Sequence, residues 1–375
     1  MKTTFPESVK NIYIKYNSLI AYLNYASKEK ETIMSNKETR ISVGGQALIE
    51  GIMMMGPKGA AVSVRCPDGE IDTEIVEVKH LKDKFKPLGW PMVRGIVNYI
   101  ESMMFGYKCL MMSAEKSGLE DLENSDENQS KLDKWLSDHL SKGVMNVLTA
   151  VASVLGAGLA FLLFFYLPSL IVDGINHLSG DKLSDFRALF EGIIRMAIFV
   201  VYIALVSLMK DIKRTFMYHG AEHKAIFCYE SGAELTVENV RKHTRFHPRC
   251  GTSFIFVIII ISVVISSAVS VLAPELRNER LVWMAVKLLI LPFVTGISYE
   301  FIKYAGKHDN LFVRICAAPG LWMQRLTTKE PDDDMIEVAI AALKCSLTGE
   351  VPVKETEEAE EVLEPEEIEI TEETP

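Results

Sequence analysis

The sequence predicts a mainly α polytopic membrane protein, with four transmembrane helices and a small N-terminal cytoplasmic β-rich (α+β) domain. Three observations predict it. Four apolar runs, 144–172, 188–209, 251–273 and 281–303, each approach the ~20 residues a helix needs to cross hydrocarbon. Residues 60–66 and 71–75 alternate apolar with small or polar side chains on either side of Pro67-Asp68-Gly69, the period-two pattern of a hairpin. Basic residues crowd one connection between spans: Lys210, Lys213, Arg214, Lys224, Arg241, Lys242, Arg245 and Arg249 lie in 210–250, whereas 173–187 carries only Lys182 and Arg187. The positive-inside bias then places the 210–250 loop and both termini in the cytoplasm, as an even number of spans requires. The expected location is the cell membrane, crossed several times.

In chain order, residues 1–40 are an N-terminal extension. Met34 offers a second start directly before the first strand pattern, so the leading segment is expected to be dispensable. No secretory leader is expected, because Lys15, Tyr16 and Asn17 interrupt the first apolar stretch. Residues 41–116 form the small α+β domain, with Gly44, Gly45 and Gly51 expected at tight turns. Its last part, 87–116, reads as a core or interfacial helix, because Arg94, Glu101 and Lys108 interrupt an otherwise apolar run. Its methionines, at helical spacing, are expected to pack inward. A polar linker and lead-in helix (117–143) precede the four-helix domain (144–305). Residues 306–348 read as interfacial or amphipathic helices, and the acidic tail (349–375) as disordered.

That tail governs the formal charge. Twelve acidic residues stand against Lys354 alone, so the chain's −10 belongs to the tail and the remainder is near neutral. There is no basic body suited to nucleic acid. The expected partners are the lipid membrane and a cytoplasmic protein. Within the spans, Glu191 and Arg195 stand four apart and are expected to pair. Lys287, a charge inside a span, is either a functional candidate or a side chain that reaches the outer interface. Pro292 and Gly296 predict a kink.

The chemistry concentrates between Tyr218 and Thr252. His219, Glu222 and His223 read H-x-x-E-H, which on a helix puts two imidazoles on one face with a carboxylate beside them. His243, His247 and Cys250 follow. The second span runs into the first group, the third starts at the second group, and the fourth ends near Glu300, so three pieces of sequence converge on one membrane boundary. The expected metal ligands are His219, His223 and His247, with Cys250 or Glu300 competing for third place. A catalytic zinc needs three protein donors and an open position. Glu222 is the expected general base, and Arg249 or Lys224 the cation for a developing oxyanion. Imidazole with a thiolate favours zinc among divalent metals. These features predict a metal-dependent membrane enzyme, a hydrolase. Two other readings compete with it. One is a non-enzymatic metal-binding or assembly protein; in the other, the histidines simply meet anionic headgroups.

Five ordered stretches resemble one bacterial family, that of the domain of unknown function numbered 1385. They are GGQALIEGIMMMGP (44–57), 91–113 with Arg94-Gly95, YHGAEHKAI (218–226), HPRCGTSF (247–254), and TTKEP followed by EVAIAAL (327–343). The resemblance spans roughly 41–345 and implies an integral membrane fold with a metal-dependent activity. The family has no established reaction, so no substrate is implied.

Overall fold

The computed structural model describes residues 43–78, 90, 93–118, 142–180, 186–248, 250–277, 279–305, 308 and 310–351. The expected extension, most of the linker and nearly all of the acidic tail lie outside them.

Four strands, β1 (Gly44–Leu48), β2 (Gly51–Gly56), β3 (Gly59–Arg65) and β4 (Ile71–Val76), form an antiparallel meander in the order β1-β2-β3-β4. The hairpin expected at Pro67-Asp68-Gly69 joins β3 to β4, with Arg65 opposite Ile71. Gly44, Gly45 and Gly51, expected at turns, are strand residues instead. At Gly45 and Gly51 the reason is steric. A Cβ on Gly51 would lie 2.6 Å from the Ser63 carbonyl oxygen, and one on Gly45 would lie 2.9 Å from the Glu222 side chain. These two strand glycines allow close approach rather than a bend.

Alternation sends Ile52 and Met54 to one face of the sheet and Met53 to the other. The Met53 face, with Leu48, Val62 and Val64, packs on α1 (Val93–Lys116) through Cys109, Phe105 and Met112. Of the α1 methionines, Met112 packs as expected, but Met103, Met104 and Met111 are exposed. The opposite face is covered by α5 (Lys210–Ser231) and α10 (Asp333–Thr348). Met335, Ile336, Ala339 and Leu343 of α10 are essentially fully buried there, and each large side chain contributes about 1.5–3 kcal/mol. The sheet's core is therefore completed by the histidine-bearing helix and by a helix near the other end of the chain, not by residues 41–116 alone.

Four helical stretches are long and apolar enough to cross a membrane. The first, Ala150–Leu178, takes in most of α2 (Lys142–Phe161), a π turn (Leu162–Tyr166) and α3 (Leu167–Leu178). The others are α4 (Arg187–Val206), the Ile255–Leu272 part of α7 (Gly251–Leu272) and α8 (Arg280–Ala305), which holds Pro292 within a continuous helix. A short α6 (Val237–Arg241) lies between α5 and α7. Gly95 of α1 sits against Gly296 of α8, where a Cβ would meet backbone at 3.1 Å, and Arg94 holds Glu300 through two 2.6 Å bonds.

Glu191 and Arg195 do not form the pair that their spacing predicts. Glu191 pairs with Lys287 from the neighbouring helix, both being buried, and also takes a bond from Arg187 at 3.2 Å. Arg187 and Arg280 in turn hold Asp173, at 2.6 and 2.9 Å. Arg195 donates instead to the Phe164 carbonyl in the π turn, at 2.8 Å. Partners from other helices displace the Glu191–Arg195 pair, and Lys287 is drawn inward rather than toward an interface. Removing one member leaves a buried charge. Glu191→Leu is expected to cost about 3–5 kcal/mol in thermal unfolding of detergent-purified protein, with most of it recovered in Glu191→Leu/Lys287→Met. Equal losses in the two variants would show that the pair does not matter.

Candidate metal centre

Helix α5 is buried almost continuously from Tyr218 to Cys228, with His219 the half-buried exception. It is held from three sides. The β1–β2 turn docks on it through Glu50, whose backbone takes the left-handed φ of 48° and whose carboxylate accepts from Arg214 and, at 3.1 Å, from the Tyr218 hydroxyl. The segment after α9 (Leu311–Thr327) crosses it at Gly220. A Cβ on Gly220 would overlap the Lys329 carbonyl, and the Lys329 amide donates to the Phe216 carbonyl at 2.8 Å. On the buried flank, Lys224 is engaged by Glu330 and by the Arg241 carbonyl at 3.0 Å.

This crossing fixes the histidines. The Nδ1 of His219 lies 2.8 Å from the Thr327 carbonyl oxygen, and the Nδ1 of His223 lies 2.5 Å from that of Arg245. A carbonyl only accepts, so each Nδ1 carries the proton and each Nε2 presents a lone pair. The rings meet edge to face at 4.4 Å. Cys250, the residue capping the start of α7, places its Sγ 3.2 Å from the His219 Nε2. One donor atom from each of His219, His223 and Cys250 falls within 4.8 Å of the other two. The His223 Nε2 is buried and has no hydrogen-bond partner among the described residues. An orphaned buried acceptor costs about 1–3 kcal/mol, and a metal ion is the partner that suits two imidazoles and a thiol. Carbonyl anchoring through the far nitrogen is also how metal-binding histidines are commonly oriented. The residues present fit a transition-metal ion.

The group is therefore His219, His223 and Cys250. His247 does not join it. Its amide and its carbonyl are both taken by the buried Gln324 side chain at 2.7 Å, and its ring lies on Phe227 (4.6 Å) and toward Glu230 (3.5 Å), 5.6 Å from the His223 ring. Glu300 is also elsewhere, with both carboxylate oxygens engaged by Arg94. Lys224, tied to Glu330, is a brace rather than a free cation. Arg249 lies outside the described residues.

Glu222 is buried beside the group. Burial pushes its carboxyl up to about 7, with His219 pulling the other way and Cys250 adding to the rise. Burial, with the neighbouring His219 adding to the fall, pushes the His223 imidazole down to about 4, so it is neutral and ready to ligate near pH 7. Gly45 leaves the room that the Glu222 carboxylate occupies. Gly45, Thr327, Arg245 and Gln324 are the site residues that the sequence reading missed. Gly45 and Thr327 lie in stretches that carry the family resemblance, but the acceptor at Thr327 and Arg245 is a backbone carbonyl, which no residue letter reports.

The family described as "Protein of unknown function (DUF1385)" matches residues 90–348, which take in every helix above. The chain belongs to this family. It is also similar to the "Uncharacterized protein YqhQ" of Bacillus subtilis (strain 168), at 34% identity over 311 residues, covering 82% of this chain and 92% of that protein. No solved structure matches. The DUF1385 match begins after β4, so the sheet that seats Glu222 lies outside it, although the resemblance read from the sequence starts near residue 41.

Gly220 offers a direct check of the clamp on His219. Gly220→Ala forces the Lys329 carbonyl away and with it the Thr327 acceptor. The expected result is a loss of about 1–3 kcal/mol in thermal unfolding, together with zinc content well below that of the parent by elemental analysis. Parent-like zinc in a folded Gly220→Ala protein would contradict the role given to this crossing.

Proposed function

We propose that this chain is a multi-pass protein of the cell membrane whose His219–His223–Cys250 group binds a divalent metal, zinc by donor preference, and that it is a hydrolase using Glu222 as base. The observation that carries the reading is the pair of carbonyl-locked imidazoles, each with a donor atom within 4.8 Å of a cysteine sulfur, next to a buried carboxylate. The excess of lysine and arginine in 210–250 supports a cytoplasmic placement for the site and for both termini.

When bound, a zinc ion supplies positive charge that polarises a substrate oxygen and eases ionisation of water. The rest falls to the chain. His219 and His223 are held in one tautomer by Thr327 and Arg245, so they bind without reorganising. Glu222 takes the proton of the attacking water at a carboxylate oxygen and returns it to the leaving group, a role suited to a carboxyl poised near neutral pH. Burial of Glu222 and His223 keeps bulk water from competing for that proton.

One observation favours a second reading. The donors come from α5 and from the start of α7, so an ion there would staple the helix that covers the sheet to one of the apolar helices. A purely structural metal would do the same without turnover.

Elemental analysis of the purified parent, His219→Ala/His223→Ala and Glu222→Gln tests both readings. We expect near one equivalent of transition metal in the parent, little in the double variant and parent-like content in Glu222→Gln. For the enzyme, a screen for metal-dependent hydrolysis is expected to find turnover that Glu222→Gln loses by at least two orders of magnitude. Absence of metal from the parent, even after reconstitution with zinc, manganese and iron, would end the metal reading. Turnover unaffected by Glu222→Gln would end the assigned mechanism.

A further inference from the structure

Helix α9 has an apolar face that no described residue covers. Leu311, Ile315 and Trp322 fall within about 40° of one another around the helix axis and are 73%, 62% and 47% exposed. The exposed Arg314 and Arg325 flank the same face. The opposite face is buried through Val313, Gly320, Leu321, Met323 and Gln324, and α9 packs against α7.

What covers the stripe follows from where the two ends of α9 are tied. Near its first turn, the Phe312 ring meets Phe301 at 5.8 Å, at the last turns of the apolar helix α8. At its last turn, Gln324 grips the backbone of His247, and Thr327 accepts from His219. His247 stands just before Cys250, and the apolar stretch of α7 begins at Ile255. Both ends of this 17-residue helix thus sit at the same end of the apolar bundle, so α9 runs along that end rather than through it. A helix in this position, with Leu, Ile and Trp outward and arginines on the flank, has the composition of one lying in the headgroup layer. Trp322 stands two residues before Gln324 and five before Thr327, so the lipid contact and the clamp on the histidines belong to one rigid element.

We propose that α9 lies in the headgroup layer of the bilayer crossed by the four apolar helices, and that the metal group at its end acts on a lipid-borne substrate. Such a substrate carries its reacting ester, phosphoester or amide at headgroup level. Its second half rests on the metal-dependent reading above, and its first half does not.

The test uses the full chain in nanodiscs of phosphatidylcholine and phosphatidylglycerol. Trp322→Phe subtracts the signal of Trp322 from that of the chain's other three tryptophans. We expect the Trp322 component to be quenched strongly by lipids brominated near the top of the acyl chain and weakly by lipids brominated near its end, with or without metal. In a second arm cobalt(II) is loaded as the probe, and the phosphorus-31 linewidth of the lipid phosphates is read. We expect cobalt-dependent broadening that is lost in His219→Ala/His223→Ala. No Trp322 quenching, as when a second copy or another protein covers the stripe, overturns the placement of α9. Quenching without broadening in a cobalt-loaded protein overturns the lipid-borne substrate. Failure of cobalt to bind at all defeats the metal reading while the quenching result stands.

Discussion

Two backbone carbonyls, those of Thr327 and Arg245, decide what His219 and His223 are able to do. Each accepts a hydrogen bond from an Nδ1–H and so leaves the Nε2 lone pair available, that of His219 facing the Cys250 sulfur. Without them the imidazoles would be free to change tautomer and orientation, and H-x-x-E-H would be two histidines on a helix. Most of the surrounding architecture serves to bring those carbonyls into place. Thr327 arrives because α9 ends there and the following segment crosses α5 at the one residue without a side chain, Gly220. Arg245 arrives with the segment that Gln324 pins by gripping both polar groups of the His247 backbone.

The same crossing links the two halves of the molecule. Beyond Pro331 the chain enters α10, whose apolar face seals the sheet, while α5 lies between sheet and bundle. Glu222 sits at this junction, against Gly45 of β1 on one side and near the donor group on the other. Its environment makes it a weak acid that is still able to carry negative charge near neutral pH. The sheet thus seats Glu222 through Gly45 of β1. Its close-packed strands leave space for a carboxylate only because residue 45 is glycine.

Much of this was legible in the sequence, and the limits have physical causes. The apolar stretches were readable because length and hydropathy are local properties. The β3–β4 hairpin was readable because period-two alternation and the Pro-Asp-Gly turn are local as well. H-x-x-E-H identified two of the three residues in the group that could hold a metal ion, because positions four apart share a helix face. That Cys250 rather than His247 lies in the compact group was not readable, since the His247 backbone is held by Gln324, 77 residues away, and its ring packs on Phe227. Glu300 looked available only because its partner, Arg94, is some two hundred residues earlier in the chain. Glu191 and Arg195 looked like an i,i+4 pair because Lys287 and the Phe164 carbonyl come from other helices. The deciding acceptors at Thr327 and Arg245 are main-chain atoms, identical in every residue, and only the fold specifies them.

The measurement that bears most directly on the locked His219–His223–Cys250 group is the optical spectrum of the cobalt(II)-substituted protein, in the parent and in Cys250→Ser and His247→Ala. The structure predicts a thiolate-to-cobalt charge-transfer band in the parent. It should be abolished in Cys250→Ser and retained in His247→Ala. A parent spectrum without sulfur ligation, or loss of cobalt in His247→Ala with the band intact in Cys250→Ser, would contradict the assignment of the third donor and the account built on it.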